Sequence, residues 1–173
     1  MKGKVAAQQE LYVAYRATLF SLSLKYCRNI EEAEDNLHNA FIEIFTGINR
    51  YQGSGSFEGW MKRITINKAI ESYKKMITLV PVKDNLPQEI TVTDEEMNVP
   101  AEYILQLVQA LPDQYRLAFC LYELDDYSHK EIAAMLGISE GTSKSNLHRA
   151  KALLKQKLEK KNSVYPTYVS NGG

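Results

Sequence analysis

Apolar residues recur at helical spacing through the first third of this chain. Between Ala6 and Tyr26, the residues Leu11, Ala14, Tyr15, Ala17, Leu19, Leu22 and Tyr26 return without a breaker, which predicts one helix. A second is predicted from Glu31 to about Ile48, where Ala33, Leu37, Ala40, Phe41, Ile44 and Ile48 form a single stripe. The stretch "YQGSGS" then interrupts as a loop. A third helix is predicted from about Phe57 to Lys75. Its stripe slips midway, from Phe57, Trp60, Met61 and Ile64 to Ile66, Ala69, Ile70 and Tyr73. A slip of that kind predicts contact on more than one side.

Thr78 to Pro100 holds Pro81, Pro87 and Pro100 among acidic and β-branched residues, so it reads as a linker and a domain boundary. Glu89 to Val92 has the composition of a short strand, with no partner strand to support it. Helical spacing resumes at Ala101 to Ala110 and again in "LPDQYRLAFCLYEL", with Pro112 near a first-turn position. "SHKEIAAMLG" opens with Ser128 and Glu131 at capping-box spacing and closes on Gly137. Ser139 caps a final helix that is expected to run to about Lys160. The tail "NSVYPTYVSNGG" has no amphipathic period and is expected to be disordered. There is no internal repeat.

Composition narrows the class. Of the 173 residues, 45% are apolar and 24% charged, the balance of a soluble globular protein. No apolar run approaches the ~20 residues of a membrane span, and the N-terminus lacks the apolar stretch of a signal peptide, so a cytoplasmic location without membrane insertion is expected. Cys27 and Cys120 stand far apart in helical context and read as reduced core thiols rather than metal ligands. No phosphate loop, metal set or Ser/His/Asp arrangement is present, so neither enzymatic activity nor a cofactor is expected.

The net charge is zero, which argues against a nucleic-acid partner until the charges are located. Lys144, Arg149, Lys151, Lys155, Lys157, Lys160 and Lys161 outnumber Glu140 and Glu159. Arg50, Lys62, Arg63, Lys68, Lys74 and Lys75 outnumber Glu58 and Glu71. Between these basic segments, Lys83 stands against Asp84, Glu89, Asp94, Glu95, Glu96 and Glu102. Two basic segments flanking an acidic one is a pattern through which an electrostatic field acts.

Within this frame, Lys130 to Arg149 reads as two helices joined by a tight turn. Ala133 is small where the helices approach, and Ile132, Leu136 and Ile138 anchor the pair. This is the helix-turn-helix arrangement, whose second helix enters the DNA major groove. Ser143, Leu147, Ala150 and Leu154 share its inward face. Gly141, Ser145, His148 and Arg149 point outward, flanked by Thr142 and Lys144. Lys144 and Arg149 suit phosphate or guanine; Thr142, Ser145 and His148 supply hydrogen bonds. The competing reading is the solvated face of an ordinary helical hairpin, which the cap, turn and small residues together disfavour.

The segment "LPDQYRLAFCLYELDDYSHKEIAAMLGISEGTSKSNLHRAKALL" resembles region 4, the promoter-binding part of extracytoplasmic-function sigma factors of bacterial RNA polymerase. "YCRNIEEAEDNLHNAFIEIF" resembles the polymerase-clamp-binding helix of their region 2, and "RYQGSGSFEGWMKRITINKAIESYKK" the segment that melts and reads the minus-ten element. The likeness covers roughly Leu11 to Leu158 and is nearest to members common in Bacteroidetes-type bacteria. It implies an all-α chain of two small helical domains. Region 2 occupies residues 1–77 and a region 4 helix-turn-helix 101–161. A flexible acidic linker (78–100) joins them, and a tail (162–173) follows.

The resemblance also implies roles and partners. The core polymerase is contacted at its clamp and flap, and the promoter is read both as duplex and as melted non-template strand. An anti-sigma factor is a further implied partner. The linker, by the same analogy, threads the RNA exit channel, where its charge imitates RNA. Thr142, Lys144, Ser145, His148 and Arg149 would read the minus-thirty-five element. Arg50, Tyr51, Ser54, Ser56, Phe57, Arg63 and Asn67 would read the minus-ten element, with a flipped base held in the loop. Trp60 reads as core.

Asp35, His38, Asn39 and Ile42 lie opposite the core stripe of the second helix and would dock on the clamp. Two departures from the family stand in the recognition helix. Ser143 replaces the usual valine and is expected to loosen that helix on its core, while Asn146 replaces a frequent arginine and is expected to shift phosphate contact or sequence preference. The runner-up function is a free-standing helix-turn-helix activator. Its receiver-type sensor would need alternating strands and helices, where residues 1–80 read as helices only. A helical adaptor without DNA contact is the third reading.

Overall fold

The computed structural model of the chain describes residues 2–79 and 100–164. The expected linker from 80 to 99, its Glu89–Val92 strand and the tail from 165 lie outside the described residues. Among the described residues seven α-helices run in the order α1 (Lys2–Tyr26), α2 (Ile30–Gly47), α3 (Phe57–Leu79), α4 (Ala101–Gln109), α5 (Asp113–Phe119), α6 (His129–Leu136) and α7 (Glu140–Val164). A 3₁₀ turn at Ile48–Arg50 follows α2, and a π-helical turn at Cys120–Leu124 extends α5. Among the described residues there is no strand. The last helix continues four residues past its expected end, because no glycine or proline interrupts the chain before Pro166.

Local chemistry sets the boundaries. The Asn29 side chain accepts the backbone N–H of Glu32 at 2.8 Å, while Glu31 and Glu32 place negative charge at the positive end of α2. Ser128 and Glu131 form a reciprocal capping box at the start of α6. Gly137 ends that helix at φ 71°, a left-handed conformation that costs glycine nothing. Ser139 accepts the N–H of Thr142 at 3.0 Å and opens α7.

The slip in the α3 stripe marks two cores. Its first half contributes Met61 to a cluster with Leu19, Phe41 and Ile44, which closes α1, α2 and α3 on one another. Its second half contributes Ile66, Ala69 and Ile70 to a larger cluster. There they meet Leu22 and Tyr26 of α1 and Leu107, Leu117, Leu121, Ile132 and Leu154 of the C-terminal helices. The N-terminal and C-terminal halves therefore share a core.

Buried polar groups tie the same elements. Asn36 donates from Nδ2 to Ser23 Oγ at 3.0 Å and to the Thr65 carbonyl at 3.2 Å, linking α2 to α1 and α3. The last four carbonyls of a helix lack partners within it. In α1 the Ser23 carbonyl accepts the Cys27 N–H at 2.9 Å. The other three are capped from the C-terminal half: Leu24 by Gln109 Nε2 at 3.0 Å, Lys25 by Cys120 Sγ at 3.2 Å, and Tyr26 by Arg116 Nε at 3.1 Å. Arg116 is buried, donates further to the carbonyls of Gln109 and Leu111, and pairs with Asp113. The Tyr26 hydroxyl donates to Asp125 at 2.7 Å.

Burial leaves three neutral acids at this junction. Desolvation, with Glu32 nearby, pushes the Cys27 thiol from an ordinary value of 9.0 up to about 12. Burial pushes Cys120 up to about 12 and, with Asp125, drives the Tyr26 phenol well above its usual range. In the unfolded chain the thiols ionise near their ordinary value and in the folded chain they resist. Their contribution to stability is therefore complete below about pH 9 and is lost as the pH rises toward 12. Urea midpoints measured between pH 8 and 11 should fall from about pH 9 upward, and Cys27→Ala should flatten the first part of the fall. A midpoint constant across that range contradicts the assignment.

Candidate nucleic-acid interface

The C-terminal candidates gather on one face. Thr142, Lys144 and His148 are exposed on the first turns of α7, with Ser145 and Arg149 half-buried beside them. Opposite lie Ser143, Leu147, Ala150 and Leu154, all buried. Among the described residues neither Lys144 nor Arg149 has a carboxylate partner, whereas Lys151 is held by Glu123 of the π turn at 2.6 Å. Asn146 is buried on the inward face beside Ser143 and Leu147. The buried Ser143 hydroxyl meets His129 Nδ1 at 2.9 Å, and the His129 ring stacks on Tyr122 with centroids 4.4 Å apart. Ser143 thus has a specific partner in α6.

The loop before α3 is internally braced. Tyr51 donates its hydroxyl to the Gly55 carbonyl at 2.7 Å, closing a ring that Gly53 and Gly55 complete at positive φ. The Tyr51, Phe57 and Trp60 rings pack together, with Phe57 and Trp60 stacked at 5.5 Å. Trp60 is half-buried, so it belongs to the loop platform as much as to the core. Ser56 accepts the Gly59 N–H at 3.0 Å and caps α3, while Ser54 is exposed. Arg50 is engaged by Glu43 at 3.0 Å.

Arg63 and Asn67 are exposed on α3, one turn apart. Arg63 also acts across to the C-terminal half. The Glu131 carboxyl is held below its usual range first by the Ser128 hydroxyl, then by the Ser128 N–H, with the positive field of Arg63 adding to both.

The four α2 candidates divide. Asp35 and Asn39 border a cleft of about 280 Å³ whose far wall is formed by Asp113, Arg116 and Leu117. His38 lines a separate cleft of about 500 Å³ with Tyr12, Arg16 and Phe20 of α1. Ile42 is 51% exposed between its polar neighbours. Sequence reasoning missed Asn36 and Arg116. Asn36 was detectable as a polar residue on the stripe between Ala33 and Ala40, and Arg116 as a cation inside "YRLAF".

Comparisons with known proteins agree with this arrangement. The family model described as "Sigma-70 region 2" matches residues 11–76, and "Sigma-70, region 4" matches residues 101–154. The ECF RNA polymerase sigma factor SigE of Mycolicibacterium smegmatis is 29% identical over 89% of this chain, which spans 62% of that protein's length. The ECF RNA polymerase sigma factor SigW of Bacillus subtilis is 27% identical, with 91% of each chain covered. Among solved structures, the sigma factor RpoE of Bartonella quintana, in complex with the anti-sigma factor NepR, superposes with a TM-score of 0.56 at 18% identity. That match covers 87% of this chain and 96% of the other and shows a common fold.

Because Ser56 serves α3 as its cap, Ser56→Ala should destabilise the protein by about 1 kcal/mol. It should also speed hydrogen exchange at the Gly59 amide, while Ser54→Ala leaves both unchanged. Equal exchange at Gly59 in the two variants would remove Ser56 from that role.

Proposed function

The chain belongs to the sigma-70 family, in its extracytoplasmic-function group, and from that membership we infer that it binds core RNA polymerase, directs it to promoters and takes part in opening them. One observation carries the reading: a region 2 match is followed in the same chain by a region 4 match. A free-standing helix-turn-helix activator would leave residues 11–76 without a purpose.

Roles follow from exposure and chemistry. The α7 face of Thr142, Lys144, Ser145, His148 and Arg149 reads the minus-thirty-five duplex. The braced loop, with Tyr51, Ser54 and Phe57 and with Arg63 and Asn67 beyond it, receives the melted minus-ten strand. Arg50 joins them once released from Glu43, and Ser56 contributes by shaping the turn. Asp35, His38, Asn39 and Ile42 dock on the polymerase clamp, and the flap is contacted by the C-terminal domain. The division into domains at 1–77 and 101–161, with an acidic linker between them, belongs to the same proposal.

An anti-sigma factor is a proposed partner, as in the Bartonella complex. The protein acts without catalysis of its own, in the cytoplasm. Among the described residues no helix is long and apolar enough to cross a membrane. Within the group, its motifs resemble most those of Bacteroidetes-type bacteria.

Mixing the chain with core polymerase and following co-elution and promoter-directed transcription tests the whole reading; failure to form a complex overturns it. Ile42→Glu should leave the circular dichroism spectrum intact and abolish co-elution, since the side chain is exposed and no core contact is lost. Within the holoenzyme, Arg149→Ala should cost ~1–3 kcal/mol in promoter binding. Lys144→Ala should weaken all duplexes alike and shallow the salt dependence. Identical binding by wild type and both variants across a salt series would strip α7 of its role.

A further inference from the structure

The first two turns of α7 have little apolar anchorage. From Glu140 to Asn146 the buried residues are Ser143 and Asn146, and the first buried aliphatic side chain is Leu147. Leu147, Ala150 and Leu154 hold the later turns by burial, which is non-directional and fixes rotation about the helix axis only loosely. The turns that carry Thr142, Lys144 and Ser145 therefore need another restraint.

Ser143 is 0% exposed, and a hydroxyl in that position costs free energy unless it is bonded. Its partner is the Nδ1 of His129, 2.9 Å away on the first residue of α6. His129 is itself held flat against Tyr122, with an interplanar angle of 18°. The π turn, α6 and α7 thus meet through one directional contact at the level of the outward-facing side chains. A serine hydroxyl both donates and accepts, so the contact is available to either imidazole tautomer and to the imidazolium.

We propose that the His129–Ser143 hydrogen bond, backed by the Tyr122 ring, is a positioning latch that sets the rotation of α7 and so determines which base edges Thr142, Ser145 and Arg149 reach. Ser143 is sealed from any ligand, and both latch residues act through the helix they orient. The proposal rests on the reading of α7 as the recognition helix.

Threonine and valine at position 143 isolate the hydroxyl, because they share shape and β-branching and differ only in that group. The probe is a promoter library randomised over the upstream element and selected for binding to reconstituted holoenzyme. Wild type and Ser143→Thr should enrich the same bases. Ser143→Val and His129→Ala should each flatten that preference by about 2- to 10-fold, the worth of one hydrogen bond. The double variant should be no worse than either single one.

Total duplex affinity at low salt, set by phosphate contacts, should change less than base preference. A merely structural role would lower both together. Thermal melting of the free protein accompanies each measurement, and if Ser143→Val fails to fold, the half-buried His129→Ala decides. Wild-type base preference in Ser143→Val or His129→Ala, additive losses in the double variant, or equal loss of preference and affinity would overturn the latch. If wild type itself enriches no sequence, the recognition-helix reading falls and the latch with it.

Discussion

Every helix must satisfy its terminal carbonyls, and α1 does so with groups from more than eighty residues away. Gln109, Cys120 and Arg116 approach the end of α1 as a set, and they can do so only if α4 and α5 lie against it. That placement aligns Tyr26 with Asp125 and brings Ile66 and Ile70 onto the C-terminal core. It also brings the positive field of Arg63 to bear on Glu131 of the α6 capping box. Asn36 plays the corresponding part inside the N-terminal half, where one amide fixes the mutual rotation of α1, α2 and α3.

Much of this was legible in the sequence because helices announce themselves through local periodicity and local caps. The Ser128–Glu131 box, the Gly137 stop and the double stripe of α3 are short-range signals, and each has a short-range cause. What remained hidden were partnerships at long separation. A stripe shows that Arg116 faces inward but not that helix-end carbonyls wait there. The same blindness affected the loop, where residue types suited to nucleic acid also serve the protein. Ser56 caps a helix, Tyr51 closes a ring, and Arg50 is engaged by Glu43. In α7, a polar residue on the inward face signals weakened packing unless its partner is known, and His129 is fourteen positions upstream.

The electrostatic picture also tightens when the side chains are placed. Lys62, Lys68 and Lys151, counted as basic surface in the sequence, are paired with Glu58, with Glu43 and Glu71, and with Glu123. Exposed pairs of this kind contribute little to stability, yet they reduce the charge offered to a polyanion. The positive field concentrates at fewer positions than composition suggests, and on α7 Lys144 and Arg149 both lack a carboxylate partner among the described residues.

The junction between the halves has a thermal character. Its polar bonds exchange for bonds to water at small net gain, since carbonyls released from Gln109, Cys120 and Arg116 would be solvated at once. The balance therefore rests on the aliphatic and aromatic surface that Leu22, Tyr26, Ile66 and Ile70 share with Leu107, Leu117 and Leu121. Association driven by apolar burial is entropic near room temperature and weakens on cooling. The grip of one half on the other loosens in the cold and firms with warmth until the chain as a whole unfolds.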